Sequence, residues 1–160
     1  MDLKLNGKIA FITGSTKGIG LGIAAKLARE GCKVVLNGRN AKKLADATKQ
    51  IEGSIGIQGD VSDPKKCLTA INQIESKFGR LDILVCNVGN GSLLNREEGS
   101  PEDWQFFLSS NLTPATNTIW AATDLLSKTG GVVICVTSIC GVEALGCPSP
   151  YAASKASSDH

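Results

Sequence analysis

Lys8-Ile9-Ala10-Phe11-Ile12-Thr13-Gly14-Ser15-Thr16-Lys17-Gly18-Ile19-Gly20 decides the fold. Lys8 to Thr13 is a short apolar run that ends in glycine-rich sequence, which reads as a buried strand. Beyond it, Gly20, Ile23, Ala24, Leu27 and Ala28 keep the 3,4 spacing of one helix face. Gly31 is the expected C-terminal stop. A strand, a glycine turn and a helix in this order gather free backbone N–H groups at the positive end of a helix dipole, where a pyrophosphate can bind. Gly14 would allow the turn, Gly18 would let backbone approach a ligand, and Gly20 would permit close helix–strand contact. The spacing is G-x-x-x-G-x-G rather than G-x-G-x-x-G. A tight turn with no ligand is the competing reading of this stretch.

The same alternation continues downstream. Lys33-Val34-Val35-Leu36-Asn37 is a second strand, and Asn40 can cap a helix carrying Ala41, Leu44, Ala45, Thr48 and Ile51 on one side. Ile55-Gly56-Ile57 is a weaker third strand. Asp60-Val61-Ser62-Asp63-Pro64 supplies cap residues and a first-turn proline for a helix with Cys67, Ala70, Ile71, Ile74 and Phe78 inward. Leu81 to Cys86 is the fourth strand, running into Asn87-Val88-Gly89-Asn90-Gly91, and residues 92–99 read as loop. Ser100-Pro101-Glu102-Asp103 starts a helix that should run towards Leu126. Pro114 lies within it, so a kink is expected beside Asn111. Val132 to Val136 is the fifth strand. Alternating strands and helices imply right-handed crossovers and an α/β fold, a parallel sheet with helices on both faces. The near-continuous apolar strands agree. One domain is expected over residues 1–160.

Composition narrows the function classes. Net charge is +2 with no basic run, which leaves no electrostatic footprint for nucleic acid. No stretch is apolar enough to span a membrane, and the first eight residues lack a signal-peptide core, so cytoplasm is the expected location. Cys32, Cys67, Cys86, Cys135, Cys140 and Cys147 include no C-x-x-C pair, and His160 is the lone histidine. The thiols therefore read as buried or idle, and no metal site is expected.

Two further stretches carry chemistry. An NAD site wants a carboxylate roughly 20 residues past the glycines, to hold ribose hydroxyls. This chain has Asn37-Gly38-Arg39 there, and Arg39 with Lys17 could pair with a 2′-phosphate, which favours NADP(H) over NAD(H). Asp60 could accept from an adenine amino group or cap a helix, and Asn87 and Gly89 would border the switch point of the sheet. In the last third, Ser138 ends an apolar run and Tyr151-Ala152-Ala153-Ser154-Lys155 opens a helix. Lys155 then sits one turn from Tyr151 on the same face. A phenol titrates near pH 10 in water, and a fixed ammonium beside it favours the phenolate. With Ser138 holding a carbonyl oxygen, Tyr151 could exchange a proton with it. An ordinary helix start is the alternative for Tyr151 and Lys155, and an exposed amide is the alternative for Asn111.

These residues together resemble the short-chain dehydrogenase/reductase family, over essentially the whole chain. Thr13 to Gly20 matches that family's T-G-x-x-x-G-I-G cofactor loop, and Asp60-Val61 its adenine-side pair. Asn87 and Gly89 stand in its N-N-A-G segment, with Cys86 and Val88 departing from it. Asn111, Ser138, Tyr151 and Lys155 fall where the family has its catalytic tetrad, with Tyr151 thirteen positions after Ser138. The resemblance implies a Rossmann-type doubly wound sheet with strand order 3-2-1-4-5. It implies that Ser15, Thr16 and Ile19 line the cofactor loop with the glycines. Tyr151 would be the proton donor or acceptor, and Lys155 would tune it and bind the nicotinamide ribose. Ser138 would orient the substrate oxygen, and Asn111 would hold a relay water. The glycine spacing is that of the simple branch, and the chain looks most like 3-oxoacyl-carrier-protein reductases. Members usually continue past the Tyr–Lys motif with two more strands and a substrate loop. The sequence is thus expected to be the N-terminal portion of a reductase for a small-molecule or acyl-carrier-bound carbonyl substrate, a homodimer or homotetramer when full-length. The alternative is a non-catalytic nucleotide-binding fragment lacking the substrate region.

Overall fold

The computed structural model describes residues 3–91, 98–143 and 145–158. Most of the loop expected over 92–99, residue 144 and His160 lie outside them. Five strands, β1 (Ile9–Ile12), β2 (Lys33–Gly38), β3 (Ile55–Gln58), β4 (Ile83–Cys86) and β5 (Val132–Cys135), form one sheet. Its order is β3-β2-β1-β4-β5 and every pairing is parallel, as expected. The chain winds outward from β1 through β2 to β3, then returns to β4 on the other side of β1. Loops leaving β1 and β4 therefore diverge and open a crevice at the carboxyl edge.

Parallel strands buried on both faces sort their side chains alternately into two cores. Phe11, Val35, Ile57, Leu84 and Cys86 pack with Ile71 and Ile74 of α3 (Pro64–Phe78) and Ala122 and Leu125 of α5 (Thr113–Ser127). Ala10, Ile12, Val34, Leu36 and Val85 pack with Ala24 of α1 (Gly18–Arg29) and Leu44 and Ala47 of α2 (Ala41–Thr48). Asn40 caps α2 by accepting the Lys43 N–H, and Asp63, not Asp60, caps α3 by accepting from Lys65. At the opposite edge of the sheet the buried Asp82 carboxylate accepts from the Ile9 N–H at 2.9 Å and from Lys8 and Arg80. It fastens β1 to β4.

The long helix expected from Ser100 is two helices. α4 (Pro101–Phe107) begins with a capping box between Ser100 and Asp103, and α5 begins at Thr113. Between them Leu108–Leu112 forms a π turn, closed by the Thr113 N–H reaching the Leu108 carbonyl. Pro114 has no N–H to give, so the ladder must be reset before it. The break falls at Asn111, where the sequence placed it, and takes the form of an inserted residue. On β5, the last strand of the sheet order, Val132, Val133 and Ile134 are 55%, 38% and 47% exposed. Among the described residues no helix is long and apolar enough to cross a membrane.

Candidate active site

The glycine turn is built by close contacts. Gly14 has φ +60°, and a Cβ there would lie 2.8 Å from a Val88 methyl carbon. A Cβ at Gly20 would lie 2.5 Å from Asn87 Nδ2 and 2.9 Å from the Gly14 carbonyl oxygen, so only glycine lets α1 start against β4's loop. Gly18, with φ +58°, faces open space. Helix α1 has no side-chain cap at Lys17, which leaves its first N–H groups directed at the crevice. Lys17, Gly18 and Ile19 line that crevice, whose volume is about 700 Å³. Ser15 turns the other way: its hydroxyl donates to the Ile12 carbonyl at 2.7 Å and accepts the Asn37 N–H at 2.9 Å.

The second wall follows β2 and β3. The buried Asn37 amide accepts the Gly14 N–H at 3.3 Å and donates to the carbonyls of Ile57 and Gly59 at 3.1 and 3.2 Å. Asn37 thus ties the glycine turn to the third strand. A Cβ at Gly38 would meet the Thr16 methyl, so any side chain at this strand end must first displace Thr16. Arg39 is 80% exposed, and its Nη1 lies 3.6 Å from Asp60 Oδ2. Asp60 Oδ1 accepts the Ser62 N–H at 3.0 Å. Partial burial works against ionisation of Asp60, but the Ser62 donors and then the Arg39 guanidinium outweigh it and hold the carboxyl below its ordinary range. Val61 is buried, and its carbonyl accepts from the Cys67 thiol and the Asn117 amide.

The inner end lies over β1, β4 and β5. Asn87 donates through Nδ2 to the Thr13 and Gly14 carbonyls at 3.0 and 3.1 Å, clamping the glycine turn from the far side. Asn111 is buried: its Oδ1 accepts the Asn90 N–H at 2.6 Å, and its Nδ2 donates to the Asn90 carbonyl at 3.1 Å and the Ser154 hydroxyl at 3.0 Å. Ser154 donates in turn to the Tyr151 carbonyl at 2.7 Å. These bonds dock helix α6 (Ser149–Ala156) on the π turn. Lys155 is buried on α6 and its ammonium donates to the Val136 carbonyl at 3.0 Å, two residues before Ser138. A Cβ at Gly89 would lie 2.8 Å from Lys155 Nζ and 3.0 Å from Asn111 Oδ1, so both side chains converge on that glycine. The Tyr151 ring meets Phe107 edge-on, with centroids 5.9 Å apart, and its hydroxyl would lie 3.8 Å from a Cβ at Gly91. Ser138 accepts the Cys140 N–H at 3.3 Å and heads the short turn Ile139–Gly141, on which α6 packs.

The structure therefore brings Asn111, Gly89, Tyr151 and Lys155 to the inner end of the crevice that the glycine turn, Arg39 and Asp60 open. Sequence reading missed Asn90 and Ser154, which join the two halves. Ser154 carried one available signal, a polar residue on the turn between Tyr151 and Lys155. The thiols are spectators: burial, foremost, pushes Cys32, Cys67 and Cys86 above the ordinary thiol range. No cluster of three metal-ligating side chains occurs among the described residues.

A family model described as short chain dehydrogenase matches residues 8–160. The chain is 37% identical over 156 residues to a D-beta-hydroxybutyrate dehydrogenase of Cupriavidus necator, covering 94% of this chain and 60% of that protein. It is 34% identical over 157 residues to a gluconate 5-dehydrogenase of Gluconobacter oxydans, covering 94% and 61%. Among solved structures, an L-sorbose reductase from Gluconobacter frateurii complexed with NADPH and L-sorbose superposes with a TM-score of 0.89 at 33% identity, over 98% of this chain and 62% of that one. The chain thus spans about three fifths of the length of these relatives.

Proposed function

We propose a carbonyl reductase on a premise the comparisons establish: the chain belongs to the short chain dehydrogenase family. The reaction is reduction of a ketone to a secondary alcohol with NADP(H). Four features of the crevice suit a dinucleotide. The turn is open at Gly18, the N-terminus of α1 is uncapped, and Lys17 and Arg39 are exposed cations along one wall. The β2 end, Asn37-Gly38-Arg39, carries no ribose-binding acid, and this favours the 2′-phosphorylated cofactor.

When bound, the nicotinamide would supply the hydride that the carbonyl carbon receives. The chain's own residues would manage the oxygen. Tyr151 donates its phenolic proton to the developing alkoxide, and the Lys155 ammonium one turn away stabilises the phenolate left behind. Ser138 holds the carbonyl oxygen by a hydrogen bond, which strengthens as negative charge gathers there. Asn111 keeps α6 seated against the loop after β4, so that Lys155 stays at Gly89. The observation that carries the reading is this convergence of Lys155 and Asn111 on Gly89, at the inner end of the crevice, with Tyr151 beside Gly91.

The ketone is left as a class. 3-Oxoacyl thioesters are tested beside short 3-oxo acids and keto sugars, because a D-beta-hydroxybutyrate dehydrogenase, a gluconate 5-dehydrogenase and an L-sorbose reductase are among the similar proteins. The decisive measurement pairs a fluorescence titration with NADPH and a turnover assay on these substrates. Tyr151→Phe should keep NADPH binding and lose turnover by about 10²-fold or more. Normal turnover by Tyr151→Phe would refute the mechanism. Binding without turnover in the unsubstituted chain would favour a non-catalytic nucleotide-binding module.

A further inference from the structure

The Arg39–Asp60 pair lies on the crevice wall that follows β2 and β3. Arg39 follows β2, Asp60 follows β3, and these strands are neighbours, so both residues rise from the same sheet edge. The Arg39 backbone is anchored, because Gln58 Nε2 donates to its carbonyl at 2.9 Å. The Asp60 carboxylate is anchored through Oδ1 by Ser62, which leaves Oδ2 turned to the guanidinium at 3.6 Å. Asp63 is committed to capping α3 and pairs with Lys66 at 3.9 Å, so Asp60 is the acid that faces Arg39.

We propose that Asp60 is a specificity-determining residue for the nucleotide: by engaging Arg39 it weakens the chain's preference for a 2′-phosphate over a free 2′-hydroxyl. The inference rests on the reading that the crevice takes a dinucleotide with Arg39 at its ribose. A 2′-phosphate carries roughly two negative charges. It meets an arginine whose charge is already partly balanced, and it meets the Asp60 carboxylate as well. At 3.6 Å the pair is looser than a hydrogen bond, so Asp60 does little to preposition Arg39. Its charge acts over a longer range, chiefly by offsetting the guanidinium charge that the phosphate would otherwise meet in full.

The test is a double-mutant cycle read by binding alone. Dissociation constants for NADPH and NADH are measured by nicotinamide fluorescence on the unsubstituted chain, Asp60→Asn, Arg39→Gln and the double variant. Any contact of residue 60 with adenine is common to both nucleotides and cancels in their ratio. Asp60→Asn should raise the preference for NADPH about two- to five-fold, the range expected of an exposed pair. In the Arg39→Gln background the same change should have a markedly smaller effect on the ratio, and the effect should shrink at high salt. An unchanged ratio in Asp60→Asn, with Arg39→Gln still lowering it, overturns the role of Asp60 and leaves Arg39 as the phosphate reader. An equal change in both backgrounds overturns the route through Arg39. If Arg39→Gln leaves the ratio unmoved, or neither nucleotide binds, the underlying nucleotide reading fails and the inference falls with it.

Discussion

Gly20→Ala should destabilise the chain by about 2–4 kcal/mol, although alanine is the better helix former by about 1 kcal/mol. The structure supplies the reason. The added methyl would lie 2.5 Å from Asn87 Nδ2, 2.9 Å from the Gly14 carbonyl oxygen and 3.0 Å from Ser15 Cα. Ordinary carbon contacts begin near about 3.5 Å. Two of these neighbours are backbone and cannot rotate away. The third is an amide that donates to Thr13 and Gly14. Relief means expelling Asn87, at about 1 kcal/mol for each bond lost, or lifting α1 off the sheet, at the usual overpacking cost of about 1–3 kcal/mol. Gly22→Ala is the control on the same helix: nothing lies within 4 Å of its added methyl. It should stabilise by up to about 1 kcal/mol. Urea unfolding of the three proteins at neutral pH, followed by circular dichroism, measures both shifts. In thermal melts Gly20→Ala should lose about 10 °C. Its NADPH affinity should drop at least about ten-fold, because the N-terminus of α1 moves with the turn. Equal stability of Gly20→Ala and the unsubstituted chain would refute the packing argument for the glycine turn.

Asp82→Asn should cost about 2 kcal/mol at pH 7: it leaves Lys8 and Arg80 unpaired, though solvent screens those half-exposed partners. Partial burial raises the Asp82 carboxyl, but Arg80 foremost, then the Ile9 N–H and Lys8, outweigh that and hold it below its ordinary range. A depressed folded value means stability that is present above the unfolded value near pH 3.9 and lost as pH falls through the folded one. Urea midpoints of the two proteins should therefore converge between pH 5 and pH 2, and a constant gap would refute the assignment. Ser154→Ala should cost about 1–3 kcal/mol by stranding the Asn111 amide, and should lower kcat more than it changes NADPH affinity, as stopped-flow and titration would reveal. Ile134→Lys, on the edge strand β5, should reduce self-association in light scattering without lowering the melting temperature by more than a degree or two, since Ile134 is 47% exposed.

The layout of the fold was legible because it rests on local signals. Apolar runs gave the strands, the 3,4 stripes gave the helix faces, and Asn40, Asp63 and Ser100 took the caps their residue types favour. Pro114 marked the break in the long helix, but the π turn was hidden. A proline states that the ladder fails; the chain can answer by bending or by inserting a residue, and packing of α6 on the turn decides which. The pairing of Arg39 with Asp60 was also illegible, because it joins loops that follow different strands. Contacts of that kind depend on register and strand order, which periodicity does not encode.

Asparagine gives the sharpest lesson about the site. Asn87 was expected to border the ligand site, Asn111 to hold a relay water, and Asn37 marked the place where an acid is absent. All three amides are spent on the protein itself. Asn37 holds the glycine turn to β3, Asn87 holds it to the loop after β4, and Asn111 holds that loop to α6. An amide suits this work because it donates and accepts at once without charge, so it can bridge carbonyls and N–H groups in a buried loop cluster at no Born cost. Asn37 and Asn87 thus line the crevice with their hydrogen bonds already made, and the N–H groups at the start of α1 and the cations Lys17 and Arg39 stand beside them. Asn37 and Asn87 both touch the glycine turn, whereas Asn111 touches only the loop after β4 and α6, so loosening Asn37 and loosening Asn111 should disturb different ends of the crevice. Asn37→Ala would shift the ribose side, and Asn111→Ala the seating of α6. Nucleotide preference and turnover should therefore respond to different asparagines, a separation that a site built from directly binding amides would not produce.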